Sequence, residues 1–72
     1  MEQTIRAEMV ASIHSVVVAV GDSVEAGDTV VILESMKMEI PVISEDPGTL
    51  KELLVKEKDP VAEGQVVAIL EG

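Results

Sequence analysis

The sequence predicts an all-β domain, an antiparallel sandwich or small barrel, on three observations. Its apolar residues are rich in Val and Ile and recur in short runs with no sustained helical period. Clusters of Gly, Asp and Pro interrupt those runs every few residues. The chain also repeats itself. A shift of 37 residues superimposes Val18 on Val55, Asp22 on Asp59, Val24 on Val61, Gly27 on Gly64, Val30 on Val67, Ile32 on Ile69, Leu33 on Leu70 and Glu34 on Glu71. Two copies of one half-sandwich account for this pattern.

In chain order, the predicted strands are Thr4 to Met9, Ser12 to Val20, Thr29 to Ser35, Met38 to Ser44, Thr49 to Val55 and Gln65 to Leu70. Turn chemistry bounds these runs, most of which are rich in Val and Ile. That chemistry comes from Gly21-Asp22, Ala26-Gly27-Asp28, Asp46-Pro47-Gly48, Lys58-Asp59-Pro60 and Glu63-Gly64. The Asp-x-Val-x-x-Gly element shared by the two copies, Asp22 to Gly27 and Asp59 to Gly64, reads as a hairpin-like turn. Asp would accept from neighbouring backbone amides there, and Gly would take a positive φ. Both Asp residues are therefore assigned to structure.

Length and charge narrow the function. A chain of 72 residues without cysteine is one domain near the lower limit for a stable apolar core. The single histidine, His14, leaves no metal-ligand set and no nucleophile with a base, so a self-contained enzyme is not expected. His14 itself reads as a surface or packing residue. The net charge of −9 is spread over both halves of the chain, which argues against nucleic acid and anionic membranes and favours basic docking surfaces. The N-terminus has no basic region followed by an apolar run, and Val16 to Val20 is far too short to span a bilayer; a cytoplasmic protein is expected.

The stretch Glu34-Ser35-Met36-Lys37-Met38-Glu39-Ile40 lies between the two copies. Under the repeat its counterpart is the pair of chain termini, so a pseudo-twofold packing would put Lys37 at one pole and the termini at the other. With Met36-Lys37 as a two-residue loop, Ser35 faces Met38, Glu34 faces Glu39 and Leu33 faces Ile40. Such loops want positive φ, which Met and Lys supply only at a cost. Opposed glutamates on a sheet are unfavourable as well. Breaches of local rules gathered in one hairpin point to function, and two soft thioethers beside an exposed turn suit a recognition surface.

These residues resemble the Glu-Ala/Ser-Met-Lys-Met signature of biotinyl domains, the biotin carboxyl carriers of biotin-dependent carboxylases. Gly21-Asp22-Ser23-Val24, Gly27-Asp28-Thr29-Val30, Pro47-Gly48-Thr49-Leu50, Asp59-Pro60-Val61 and Glu63-Gly64-Gln65 resemble the family pattern too. The resemblance implies that residues 1–72 form a single biotinyl domain, a flattened antiparallel barrel-sandwich hybrid of two four-stranded sheets with quasi-twofold symmetry. It implies biotin held as an amide on Lys37, and recognition of Glu34, Ser35, Met36, Met38 and Glu39 by a biotin protein ligase and later partners. Those partners would be a biotin carboxylase and a carboxyltransferase of an acyl-CoA type carboxylase, as in fatty acid biosynthesis. The carrier itself would be non-catalytic, and monomeric in isolation.

Two alternatives stay open. Lipoyl domains share the fold and the lysine position but resemble Asp-Lys-Ala at the tip. An unmodified structural adaptor would use the same barrel with a dispensable lysine. The sequence also departs from the biotinyl pattern at Met9-Val10-Ala11-Ser12, where Pro-Gly or Ala-Gly is usual, and at Lys58, which replaces a turn glycine. No insertion in the first half is long enough for the protruding thumb of some bacterial carriers.

Overall fold

The computed structural model describes residues 1–72. Eight strands follow in order: β1 Glu2–Arg6, β2 Ala11–Val16, β3 Ser23–Val24, β4 Thr29–Ser35, β5 Met38–Ile43, β6 Gly48–Leu53, β7 Pro60–Val61 and β8 Val66–Glu71. They form two four-stranded antiparallel sheets, ordered β1-β8-β6-β3 and β5-β4-β2-β7. A shift of four strand positions turns one sheet into the other, so the fold is the two-sheet barrel-sandwich of two half-domains that the sequence predicts. No helix is long and apolar enough to cross a membrane.

The repeat extends to individual hydrogen bonds. Ala19 N–H donates to Asp22 Oδ2 at 2.9 Å and Lys56 N–H to Asp59 Oδ2 at 3.0 Å. Glu25 N–H donates to Asp28 Oδ2 and Ala62 N–H to Gln65 Oε1, so an amide oxygen replaces the carboxylate in copy two. Gly27 N–H reaches Ser44 O, and Gly64 N–H reaches Ala7 O. Both glycines have positive φ, 90° and 85°. At the departure noted above, Lys58 holds φ 74° where its mate Gly21 has 97°, and both amides donate to the partner half, to Ile13 O and Leu50 O respectively. That tertiary hydrogen bond keeps a lysine in a conformation that favours glycine.

The core pairs off in the same way. Ile13 and Leu50, Val24 and Val61, Val30 and Val67, Leu33 and Leu70, Val31 and Ala68 are buried mates. Ser44, the buried mate of Ala7, donates its hydroxyl to Asp46 O at 2.5 Å, so its burial leaves no polar atom unsatisfied.

Three sequence-based readings of the elements are corrected. The run Ser12 to Val20 ends as a strand at Val16, and Val17 and Val20 stand 54% and 62% exposed. There the chain leaves one sheet for the other: Val17 N–H still donates to Val30 O on β4, but Ala19 N–H is already capped by Asp22 in the turn that leads to β3. Thr4 to Met9 is displaced toward the N-terminus, the strand running from Glu2 to Arg6. Finally, each Asp-x-Val-x-x-Gly element is not one hairpin-like turn but two tight turns around a two-residue strand, β3 or β7. Val24 and Val61 point into the core from these strands, and two residues are too few for periodicity to reveal.

Candidate functional site

Ser35 pairs with Met38 and Glu34 with Glu39 in the β4–β5 ladder, so Met36 and Lys37 form the two-residue loop. Their φ angles are 52° and 65°. Two consecutive left-handed residues match the right-handed twist of the hairpin, which is why such turns normally contain Asn and Gly. Here the ladder and its buried anchors Leu33 and Val31 impose the geometry on Met and Lys.

The position of the loop follows from the repeat. Its mate is the pair Met1 and Gly72, whose backbones exchange hydrogen bonds, Gly72 N–H to Met1 O at 2.9 Å and Met1 N–H to Gly72 O at 3.0 Å. Ser35 and Met38 are the equivalent pair, bridged by the loop where the termini lie open. Gln3, next to the termini, donates to Asp46 O beyond the end of β5 remote from Met38. In a body 33 Å long and 17 Å across, the termini and Lys37 therefore lie at opposite ends.

Lys37 is exposed and belongs to neither ion pair of the molecule, and none of its three surface cavities is lined by it. Met36 and Met38 are 89% and 58% exposed, which for thioethers is unusual without a partner surface. Glu34 and Glu39 are exposed and Ser35 half-buried. The structure thus brings together all six residues singled out in the sequence. A primary amine held clear of the body is sterically open to acylation once it loses its proton.

One neighbour escaped the sequence reading. His14 Nε2 lies 3.6 Å from Glu39 Oε2, so His14 is not an isolated surface residue. A bulge in β2, a register shift between Ile13 and Ser15 against β4, brings it there, and no spacing in the sequence signals that bulge.

Residues 3–70 match the family described as "Biotin-requiring enzyme". The chain belongs to this family. It is 43% identical over 70 residues to the "Biotinylated protein TB7.3 homolog" of Mycobacterium leprae, covering 97% of this chain and 99% of that one. It is 45% identical over 64 residues to the "Biotin/lipoyl attachment protein" of Bacillus subtilis, covering 89% and 88%. Among solved structures, the urea carboxylase of Kluyveromyces lactis superimposes with a TM-score of 0.93 at 37% identity. That match covers 99% of this chain but only 6% of the carboxylase. A "single-chain, multi-domain long-chain acyl-coa carboxylase" superimposes at 0.88 with 26% identity, over 94% of this chain and 7% of that one. A "Dihydrolipoyllysine-residue succinyltransferase component of 2-oxoglutarate dehydrogenase complex" from Staphylococcus saprophyticus is also similar, 47% identical over 51 residues, covering 71% of this chain and 12% of that one. The protein is a biotin/lipoyl attachment domain whose fold resembles the biotinyl domains of carboxylases.

Proposed function

We propose that the chain is a biotin carboxyl carrier, a single attachment domain over residues 1–72, biotinylated on Lys37. The observation that carries this reading is the tip itself. An unpaired lysine between two exposed methionines stands on a strained turn at the end of the domain remote from the termini. Its similarity to proteins named as biotinylated, and to segments of two carboxylases, supports biotin as the group attached.

The residues divide the work as follows. Lys37 Nζ attacks the acyl carbon of an activated carboxylic adenylate supplied by a biotin protein ligase. The N–C amide bond forms, the acyl C–O bond breaks, AMP leaves, and the amine gives up its proton to the ligase or solvent. Met36 and Met38 present apolar surface to the ligase and Glu34 and Glu39 present charge, while the β4–β5 ladder fixes their spacing. Once attached, biotin supplies the chemistry of carrying an activated carboxyl group between a biotin carboxylase and a carboxyltransferase. The domain's own part is presentation: a rigid body, a mobile lysine stem, and no side chain near Nζ to hold the group down. An acyl-CoA type carboxylase in the cytoplasm is the proposed setting, with the carrier monomeric in isolation.

A lipoyl carrier is the second reading, favoured by the likeness to the succinyltransferase component. Intact mass after co-expression with a biotin ligase, with biotin and lipoate both supplied, separates the two. A biotinyl increment absent from Lys37→Arg is the expected result. A lipoyl increment alone would overturn the choice of biotin, label persisting in Lys37→Arg would overturn the choice of lysine, and no increment at all would favour an unmodified adaptor.

A further inference from the structure

The pseudo-twofold axis permits a comparison between the two poles. At the termini, a register shift between Leu50 and Glu52 leaves Lys51 unpaired in the β6–β8 ladder, and its ammonium forms an ion pair with Glu2. At the lysine pole the equivalent shift leaves His14 unpaired, and its Nε2 lies 3.6 Å from Glu39. His14 is the mate of Lys51, and Glu39 is the mate of Glu2. The fold therefore sets a nitrogen base over the same carboxylate at both ends. At the termini that base is an ammonium, whereas at the hairpin it is an imidazole, the side-chain class that serves as a charge switch near neutral pH.

The groups facing His14 make this contact consequential. Glu39 approaches from β5, and Glu34 stands on β4 between them, opposite Glu39 and paired with Ser12. From the segment before β7, Lys58 N–H donates to Ile13 O and Ile13 N–H donates to Asp59 O, which places that cation and that anion beside β2. Within its own strand, His14 Nδ1 is 3.3 Å from Ser15 Oγ, so the ring is oriented from both sides. With His14 neutral, Glu34 and Glu39 form an opposed anionic pair next to Lys37, suited to a cationic partner group. An imidazolium at His14 is a competing partner for Glu39 already in place.

We infer that His14 is a specificity-determining residue for the attachment reaction: charged, it occupies Glu39 and weakens recognition of the hairpin, and neutral, it releases Glu39. This rests on the biotin attachment proposed above. Because both side chains are partly exposed, 39% and 61%, the effect on recognition is about two- to fourfold.

The test is internal competition, in which wild type and His14→Gln are mixed in one reaction with biotin, ATP and a biotin ligase. Intact mass then reads the ratio of label on the two proteins at each pH. The pH response of the ligase cancels in that ratio. Equal labelling is expected at about pH 8.5, with wild type falling about two- to fourfold behind at about pH 6. His14→Lys, which restores the arrangement of the other pole, should trail wild type by the same factor at about pH 8.5 and match it at about pH 6. Ratios that stay flat with pH while both proteins are labelled would overturn this inference and leave the attachment reading intact. No label on either protein would overturn both.

Discussion

Replacing Met36-Lys37 by Asn-Gly should make the domain more stable while removing its site of attachment. Both residues occupy left-handed backbone, at φ 52° and 65°. That region costs a non-glycine residue about 1–2 kcal/mol. Met36 is 89% exposed and Lys37 has no ion pair, so the substitution forfeits no packing and no salt bridge. Against the gain stands the greater freedom of glycine in the unfolded chain, about 0.4–1 kcal/mol, and the residual penalty of asparagine. A net gain of about 1–2 kcal/mol remains, and each kcal/mol raises Tm by about 4–8 °C in a domain of this size. The chain has no aromatic residue, so the assay is urea unfolding followed by far-UV circular dichroism. The midpoint should rise at an unchanged denaturant slope. Met36→Asn alone, which keeps the amine, should take about half the gain and accept label more slowly. A midpoint that stays level or falls at constant slope would refute the idea that the turn is strained.

Two further predictions concern charges at the poles. Glu34→Gln should slow labelling of Lys37 while leaving stability level or raised by a few tenths of a kcal/mol, since it relieves the opposed Glu34/Glu39 pair; lower stability with normal labelling would assign Glu34 to folding instead. At the other pole, the hydrogen bond from Lys51 holds the Glu2 carboxyl below its ordinary value, and Glu2 holds the Lys51 ammonium above its own. The stabilisation lost in Lys51→Met should be constant through neutral pH. It should fade below about pH 4.5, as Glu2 of the wild type is protonated, and above about pH 10.5, as Lys51 loses its proton. Urea midpoints of the two proteins across pH measure this, and a difference that persists at pH values well below Glu2's titration would show that Lys51 acts through packing.

The candidate site was legible in the sequence because it breaks local rules. Met and Lys in a two-residue turn, and two glutamates opposed across a ladder, are conflicts that packing alone gives no reason to keep. The shift of 37 residues then located that turn opposite the termini, since a twofold relation between half-domains leaves no other place for the link between them. At Lys58 the sequence showed only that a turn glycine is replaced; that the lysine keeps the left-handed backbone, at φ 74°, is a finding of the structure.

The sequence by itself determined the fold class, the two-copy construction and the lysine at its pole. These depend on the Val- and Ile-rich runs, on turn residues and on the 37-residue repeat, all of which can be read along a single chain. Only the tertiary structure decided where Ser12 to Val20 stops being a strand, because that end is set by where the chain crosses to the other sheet to form β3. It alone exposed the two-residue strands β3 and β7, which owe their pairing to β6 and β2. It alone brought His14 to Glu39, because a bulge is a register relation between strands and has no signature within one of them. The residues at the tip were named by their order in the chain; which charge they present is a matter of what the next strand but one places above them.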